Sequence, residues 1–275
     1  MYEELPVNFH LERMCNMACG YCFNRGLSAH SPPPSRKEQI AIVRLLCSYG
    51  FSKISFVGGE PTLCPWLPEL LQVCREHGVT SMLITNGSKL EKSPHLLDAC
   101  DWVGLSIDSF HAETNQAIGR GAPEPLDYDV IIDLIKKSPC RLKINTVVSR
   151  LNMTENMTDS IAHAVPERWK VMQVTKIEGQ NSVNFRDYSI TGEEFSCFVV
   201  RHNSLDKILV KETSDDMYGS YLMIDPYGCF IDNSLGFYKR SHPILSVGIA
   251  AALRETAFSV TKFKNRNGAY IWRIA

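Results

Sequence analysis

Three cysteines fall within eight residues, as Cys15-x3-Cys19-x2-Cys22, so that one tight loop can present three thiolates to a metal centre. Structural zinc takes four protein ligands, commonly in two separated pairs, and the chain has no second C-x2-C. Zinc stays open only with His10 or His30 as fourth ligand. A cubane iron–sulfur cluster held by three cysteines leaves one iron for a non-protein ligand, which makes a reactive site. Accidental clustering is the remaining alternative. Cys47, Cys64, Cys74, Cys100, Cys140, Cys197 and Cys229 are dispersed, mostly in apolar segments, and read as small buried hydrophobes.

Other chemistry-bearing residues sit at the ends of apolar, β-branched runs. Gly58-Gly59-Glu60-Pro61 follows one such run, and two glycines let backbone carbonyls approach a ligand closely. Thr85-Asn86-Gly87-Ser88 and Ser106-Ile107-Asp108 end two more, where a turn or helix cap is the plain alternative. Strand side chains alternate faces, so Lys143 shares a face with Asn145, Arg168 with Lys170, and Asn8 with His10. Lys53 opens the run before the glycines. With Ile144, Thr146, Trp169 and Val171 against the helices, these polar groups point into a shared interior. Several cations buried together without anions are strongly unfavourable, so either this face meets solvent or it receives a polyanion. Arginine can grip a polyphosphate bidentately.

The elements that must position these groups alternate in type. Strands are expected at Pro6–Glu12, Lys53–Val57, Val79–Thr85, Trp102–Ile107, Arg141–Val148 and Trp169–Lys176. Helices are expected at about Ser35–Tyr49 (capped by Ser35 with Glu38 three residues on), Trp66–Glu76, Pro94–Ala99, Tyr128–Lys137 and Glu155–Ala164. This βα succession predicts an α/β fold with a parallel sheet, an open (β/α)6 partial TIM barrel over residues 1–180. From about Asn181 the rhythm changes: a helix at Thr191–His202, then a hairpin at Tyr221–Ile231 turning at Asp225-Pro226-Tyr227-Gly228. Residues 181–275 are read as a C-terminal extension closing over the barrel.

Composition narrows the function classes. The 275 residues carry 29 Lys plus Arg against 30 Asp plus Glu, a net charge of -1, with 44% hydrophobic residues. No nucleic-acid coat or polybasic membrane arm is expected from that balance. Ile244–Leu253, the longest apolar stretch, is about half of the roughly 20 residues that span a membrane. Met1–Leu11 lacks a basic leader followed by an apolar run. A cytoplasmic protein is expected, and disulfides are not.

C-x3-C-x2-C with Tyr21 before the last cysteine resembles the signature of radical S-adenosylmethionine (SAM) enzymes. The resemblance implies a [4Fe-4S] cluster on Cys15, Cys19 and Cys22 whose free iron chelates SAM, and cleavage of SAM to a 5'-deoxyadenosyl radical. It implies that Gly58, Gly59 and Glu60 meet the methionyl amine, and that Asn86, Ser106 and Arg120 line the SAM pocket, with Arg120 facing the carboxylate. Asn8-Phe9-His10-Leu11, Lys143-Ile144-Asn145, Arg168-Trp169-Lys170-Val171, Ile177-Glu178-Gly179, Ser220-Tyr221-Leu222 and Gly268-Ala269-Tyr270-Ile271-Trp272 are similar to the viperin family, over about residues 5 to 272. That family converts a nucleoside triphosphate (CTP, UTP or GTP) to its 3'-deoxy-3',4'-didehydro form, an antiviral chain terminator, and needs an external electron donor.

Carried over by position, the triphosphate would be held by Lys53, Lys143, Asn145, Arg168, Lys170 and Arg266, with Lys239 a further candidate. Asn8 would lie near the sugar and Tyr221 near the substrate; Tyr221 and His10 are the candidates for acid–base work. Val57 departs from the serine of the animal enzymes, and their amphipathic N-terminal helix is absent from this sequence. A monomer is expected. Two rivals remain: a radical SAM enzyme on another substrate, such as a peptide, and a non-catalytic nucleotide-binding protein with a structural cluster. Peptide modifiers usually carry extra cysteine clusters, whereas only Cys197 and Cys229 lie beyond residue 150 here.

Overall fold

The structure, a computed structural model, describes residues 5–12, 14–24, 34–121 and 125–272. His30, a possible zinc ligand from the sequence, lies outside the described residues.

Ten strands make one sheet: β1 (Pro6–Glu12), β2 (Lys53–Gly58), β3 (Thr80–Thr85), β4 (Trp102–Ser106), β5 (Arg141–Val148), β6 (Arg168–Gln173), β7 (Leu209–Glu212), β8 (Met223–Ile224), β9 (Cys229–Asp232) and β10 (Lys239–Pro243). Their order is β10-β9-β8-β1-β2-β3-β4-β5-β6-β7, and the two ends do not meet. The strands from β8 through β1 to β7 are parallel to their neighbours, while β9 runs antiparallel to both β8 and β10. This is the expected open α/β barrel of six βα units, widened at both edges by chain beyond residue 180.

The first crossover shows how the sequence sets its elements. Ser35 caps helix Arg36–Tyr49 through a reciprocal capping box with Glu38, and Gly50 ends it in a left-handed conformation at φ 99. The helix faces the sheet with Ile42, Val43 and Leu46, all fully buried. Along β5 and β6 the alternate residues Ile144, Trp169 and Val171 are buried, and the Trp169 ring packs on Phe198 of helix Gly192–Arg201 at 6.3 Å. Trp169 donates its indole N–H to Thr146 Oγ1, itself bonded to the Ile107 carbonyl, so the outward face hides its one hydroxyl pair. The other face is left to the polar residues.

Two strands were not expected. β7 is four residues of mixed polarity and β10 is a mostly polar edge, and neither carries a period-two apolar signal long enough to stand out. The sixth strand ends at Gln173, not Lys176, because the chain turns there to make the bonds of Thr175 and Ser214. No helix among the described residues is long and apolar enough to cross a membrane.

Candidate functional site

A cavity of about 320 Å³ runs through the barrel, lined by residues of β1 to β7 and of the chain beyond. Every site residue singled out from the sequence lines it except Lys239. Lys239 is corrected: it opens edge strand β10 opposite Asp232 and is exposed, since the β9–β10 hairpin turns that position outward.

At the carboxyl ends of the strands lies the cysteine loop. Cys15, Cys19 and Cys22 line the cavity and form no disulfide. The loop is pinned to the turn after helix Ala112–Ile118 by Ala18 N–H to Gly119 O (2.8 Å) and Gly20 N–H to Ile118 O (2.9 Å). Gly119 sits at φ 91, and a Cβ there would stand 2.4 Å from Ala18 O. Below the loop, the Tyr21 hydroxyl donates to Asp108, tying the aromatic of the motif to the end of β4.

Among the described residues, no group of three or more His, Cys, Asp and Glu side chains sits closely enough for a single metal ion. His10 is buried, with its Nδ1 bonded to Asn24 Oδ1 at 3.0 Å, and burial lowers its pKa to about 4 against the pull of Asn24. Three soft sulfur donors with no fourth protein ligand fit a cubane cluster, which spreads its thiolates over several irons. Burial pushes the Cys19 thiol up to about 12.

The next three strand ends meet the same loop. Gly58 and Gly59 line the cavity, and Glu60 donates its backbone N–H to Met14 O at 2.8 Å. The Glu60 carboxylate is a brace: it accepts from Thr62 Oγ1 (2.6 Å), Thr85 Oγ1 (2.7 Å) and Asn86 N (2.8 Å). Asn86 in turn donates its side-chain amide to Asn16 of the cysteine loop at 3.0 Å. Arg120, expected to face a carboxylate, already has one: its guanidinium donates to Asp108 at 2.8 Å and to the Ser106 carbonyl at 2.6 Å, while its Nε has no partner. Asp108, which ends the Ser106-Ile107-Asp108 run, thus binds both Tyr21 and Arg120.

Cations fill the other end. Parallel register sets Lys143 beside Arg168 and Asn145 beside Lys170, while Lys53 lies beside Pro6. Lys53, Lys143, Arg168 and Lys170 lie in the amino-terminal halves of their strands, opposite the cysteines. The Lys53 ammonium donates to the Tyr270 hydroxyl at 2.9 Å and stands 4.5 and 4.4 Å from the Tyr270 and Trp272 ring centres. Arg168 stacks on Tyr270 at 4.3 Å, and Trp102 donates to the Trp272 carbonyl at 2.9 Å. Residues 268–272 thus close the barrel floor. Burial, joined by Arg168 and Lys170, pulls the Lys53 pKa well below the usual amine value; burial, then Lys170 and Lys53, does the same to Lys143.

An anion in this end was not foreseen. Glu212, the last residue of β7, is 1% exposed, and pairs with Lys170 and Arg266 at 2.8 Å each. Tyr221 donates its hydroxyl to Glu212 and accepts from Lys170, with Arg266 stacked on its ring at 3.7 Å. Burial would raise the Glu212 pKa, but the two cations override it and hold it at about 2. Lys170, lowered by burial against the pull of Glu212, comes to about 8. Lys53, Lys143 and Arg168 form no ion pair among the described residues.

A family model described as the Radical SAM superfamily matches residues 11–162. An S-adenosylmethionine-dependent nucleotide dehydratase of Flammeovirga pacifica is 43% identical, covering 97% of this chain and 96% of its own length. The S-adenosylmethionine-dependent nucleotide dehydratase RSAD2 of Danio rerio is 34% identical over 98% of this chain and 78% of its own. Among solved structures, Streptococcus suis SuiB bound to S-adenosylmethionine aligns with TM-score 0.64 and 17% identity, covering 83% of this chain and 60% of that one. Native anSMEcpe with bound AdoMet aligns with TM-score 0.65 and 17% identity, covering 95% of this chain and 82% of that one. At such identities the two structures speak for the fold alone.

Proposed function

We propose, from the premise that the chain belongs to the radical SAM superfamily and within it to the S-adenosylmethionine-dependent nucleotide dehydratases, that it converts CTP or UTP to the 3'-deoxy-3',4'-didehydro analogue. The observation that carries this reading is the polarity of one cavity: three cysteines at the carboxyl ends of the strands, five cations toward their amino ends. A substrate bridging them needs an anionic tail and a reacting centre one sugar away, which a nucleoside triphosphate has.

The cofactors are a [4Fe-4S] cluster, for which Cys15, Cys19 and Cys22 are the ligands, and SAM. Bound together and reduced, they would supply 5'-deoxyadenosyl radical chemistry able to remove the C4' hydrogen of the sugar. The chain's own residues do the rest. Gly58 and Gly59 offer carbonyls to the SAM amine, and Glu60, Asn86 and Ser106 hold that wall in shape. Arg120 takes the SAM carboxylate with the part of its guanidinium that Asp108 leaves over. Lys53, Lys143, Arg168, Lys170 and Arg266 grip the triphosphate. Asn8 and Asn145, which line the cavity between its two ends, orient the ribose. Tyr221, fixed by Lys170 and Glu212, lies where a proton can reach the departing 3'-hydroxyl. His10, neutral and held by Asn24, shapes the wall rather than titrating.

In this reading residues 1–180 form the barrel core, which holds the cofactors and most of the groups that grip the substrate, and 181–275 cover the active site. An external donor would supply two electrons, one to cleave SAM and one that, with a proton for the departing 3'-hydroxyl, gives the didehydro product and water. A single chain suffices, and a reducing cytoplasm keeps the seven cysteines outside the loop as thiols. The product would serve antiviral defence.

The test is 5'-deoxyadenosine formation by anaerobically reconstituted protein with SAM and reductant, run with each of four nucleoside triphosphates and with none. One pyrimidine triphosphate should raise the rate well above the rest. Equal rates in all five reactions would sink the reading.

A further inference from the structure

Five cationic side chains line one end of the cavity, and only two of them have a carboxylate among the described residues. Lys170 and Arg266 share Glu212, while Lys53, Lys143 and Arg168 have no ion-pair partner there. Glu212 is itself 1% exposed and its two oxygens are spoken for: Oε1 by Arg266, Oε2 by Lys170 and the Tyr221 hydroxyl. A carboxylate this deep, with both oxygens on groups a phosphate would also seek, stands where the ligand's charge is wanted.

We propose that Glu212 is a resident counter-anion: it holds Lys170, Arg266 and Tyr221 in their working arrangement when the site is open, and competes with the incoming polyphosphate for the two cations. This rests on the reading of the cavity as a nucleoside triphosphate site and adds a residue to it.

The geometry gives the residue two opposing effects. As an anion it subtracts from the field that draws a polyphosphate in, so it weakens binding. As an acceptor it fixes the Tyr221 hydrogen toward itself and leaves the phenol oxygen to Lys170, so the hydroxyl has one orientation. Its own charge is secure, because Lys170 and Arg266 hold it ionised. Glu212 is a positioning residue: it reaches the reaction through Tyr221 and Lys170. A merely structural carboxylate would, on removal, weaken binding and turnover together. A counter-anion would, on removal, strengthen binding while turnover falls.

Inorganic tripolyphosphate isolates the first effect from any preference for base. Isothermal titration of the cluster-loaded protein with tripolyphosphate should show Glu212→Gln binding at least fivefold more tightly than the parent chain. In the SAM-dependent assay with the preferred nucleotide, the same variant should show a lower KM and a kcat reduced at least tenfold. Glu212→Asp keeps the charge but loses one methylene of reach. It should bind tripolyphosphate within twofold of the parent and still lose at least fivefold in kcat, so the proposal stays testable if Glu212→Gln does not fold. Tripolyphosphate binding by Glu212→Gln weaker than the parent's, binding by Glu212→Asp more than twofold weaker, or an unchanged kcat in both overturns the proposal. A parent chain that binds no tripolyphosphate overturns the nucleotide reading together with it.

Discussion

Gly119→Ala should strip the protein of its cluster while leaving the barrel folded. Gly119 ends helix Ala112–Ile118 at φ 91, and an added Cβ would lie 2.4 Å from Ala18 O, 2.8 Å from Ala18 C and 3.3 Å from Cys19 Cα. These are backbone atoms of the cysteine loop and cannot swing aside as a side chain would. A left-handed L residue costs about 1–2 kcal/mol, and the two loop-to-turn hydrogen bonds each contribute about 1 kcal/mol. The loop therefore loses about 3 to 4 kcal/mol of preference for its cluster-ready shape, roughly a 140- to 700-fold shift. Iron and sulfide per chain after anaerobic reconstitution, and the rate of iron loss to a chelator, read this directly. Iron content should fall below half of the parent value, with Tm lowered only slightly. Gly121→Ala is the control, since its Cβ would meet nothing nearer than Gln116 at 3.4 Å. Full iron loading by Gly119→Ala, with an EPR signal that still changes on adding SAM, would refute the reasoning.

Two further outcomes follow from the cationic end. Lys143 is buried among cations without an ion-pair partner among the described residues, so Lys143→Met should raise the ligand-free Tm, by about 2 °C or more for each kcal/mol relieved. It should also weaken tripolyphosphate binding about tenfold, as loss of a charged hydrogen bond does; a lowered Tm would show that Lys143 is not strained. Polyphosphate binding should take up protons. The Lys170 amine, lowered by burial to about 8, and Lys53 and Lys143, lowered by burial and by neighbouring cations, all rise toward ordinary values beside an anion. Affinity should therefore fall as pH climbs through 8, and titrations in buffers of different ionisation heat should show net uptake; zero or release would count against it.

What could be read from the chain and what could not divides by distance along it. The cysteine loop, the glycines after β2 and the alternation in β5 and β6 are local patterns, and local patterns carry over into strand ends and faces. Lys239 lies away from the cavity because its place depends on which face a short edge hairpin turns outward, and four polar residues and a proline carry no apolar period to say so. Tyr270 and Trp272 reach Lys53 across more than two hundred residues, a pairing no spacing announces. Glu212 is the instructive case. Nothing in Leu209–Glu212 marks it, and the charge argument points only to solvent or a bound polyanion, although five converging cations are also too many to bury without an anion of the protein's own. The choice between solvent and a polyanion was too narrow; the chain supplies one carboxylate itself, enough to hold the empty site together and too few to fill it. That shortfall is what leaves Lys53, Lys143 and Arg168 for a ligand to neutralise, and it ties the fold's stability to the chemistry of the substrate.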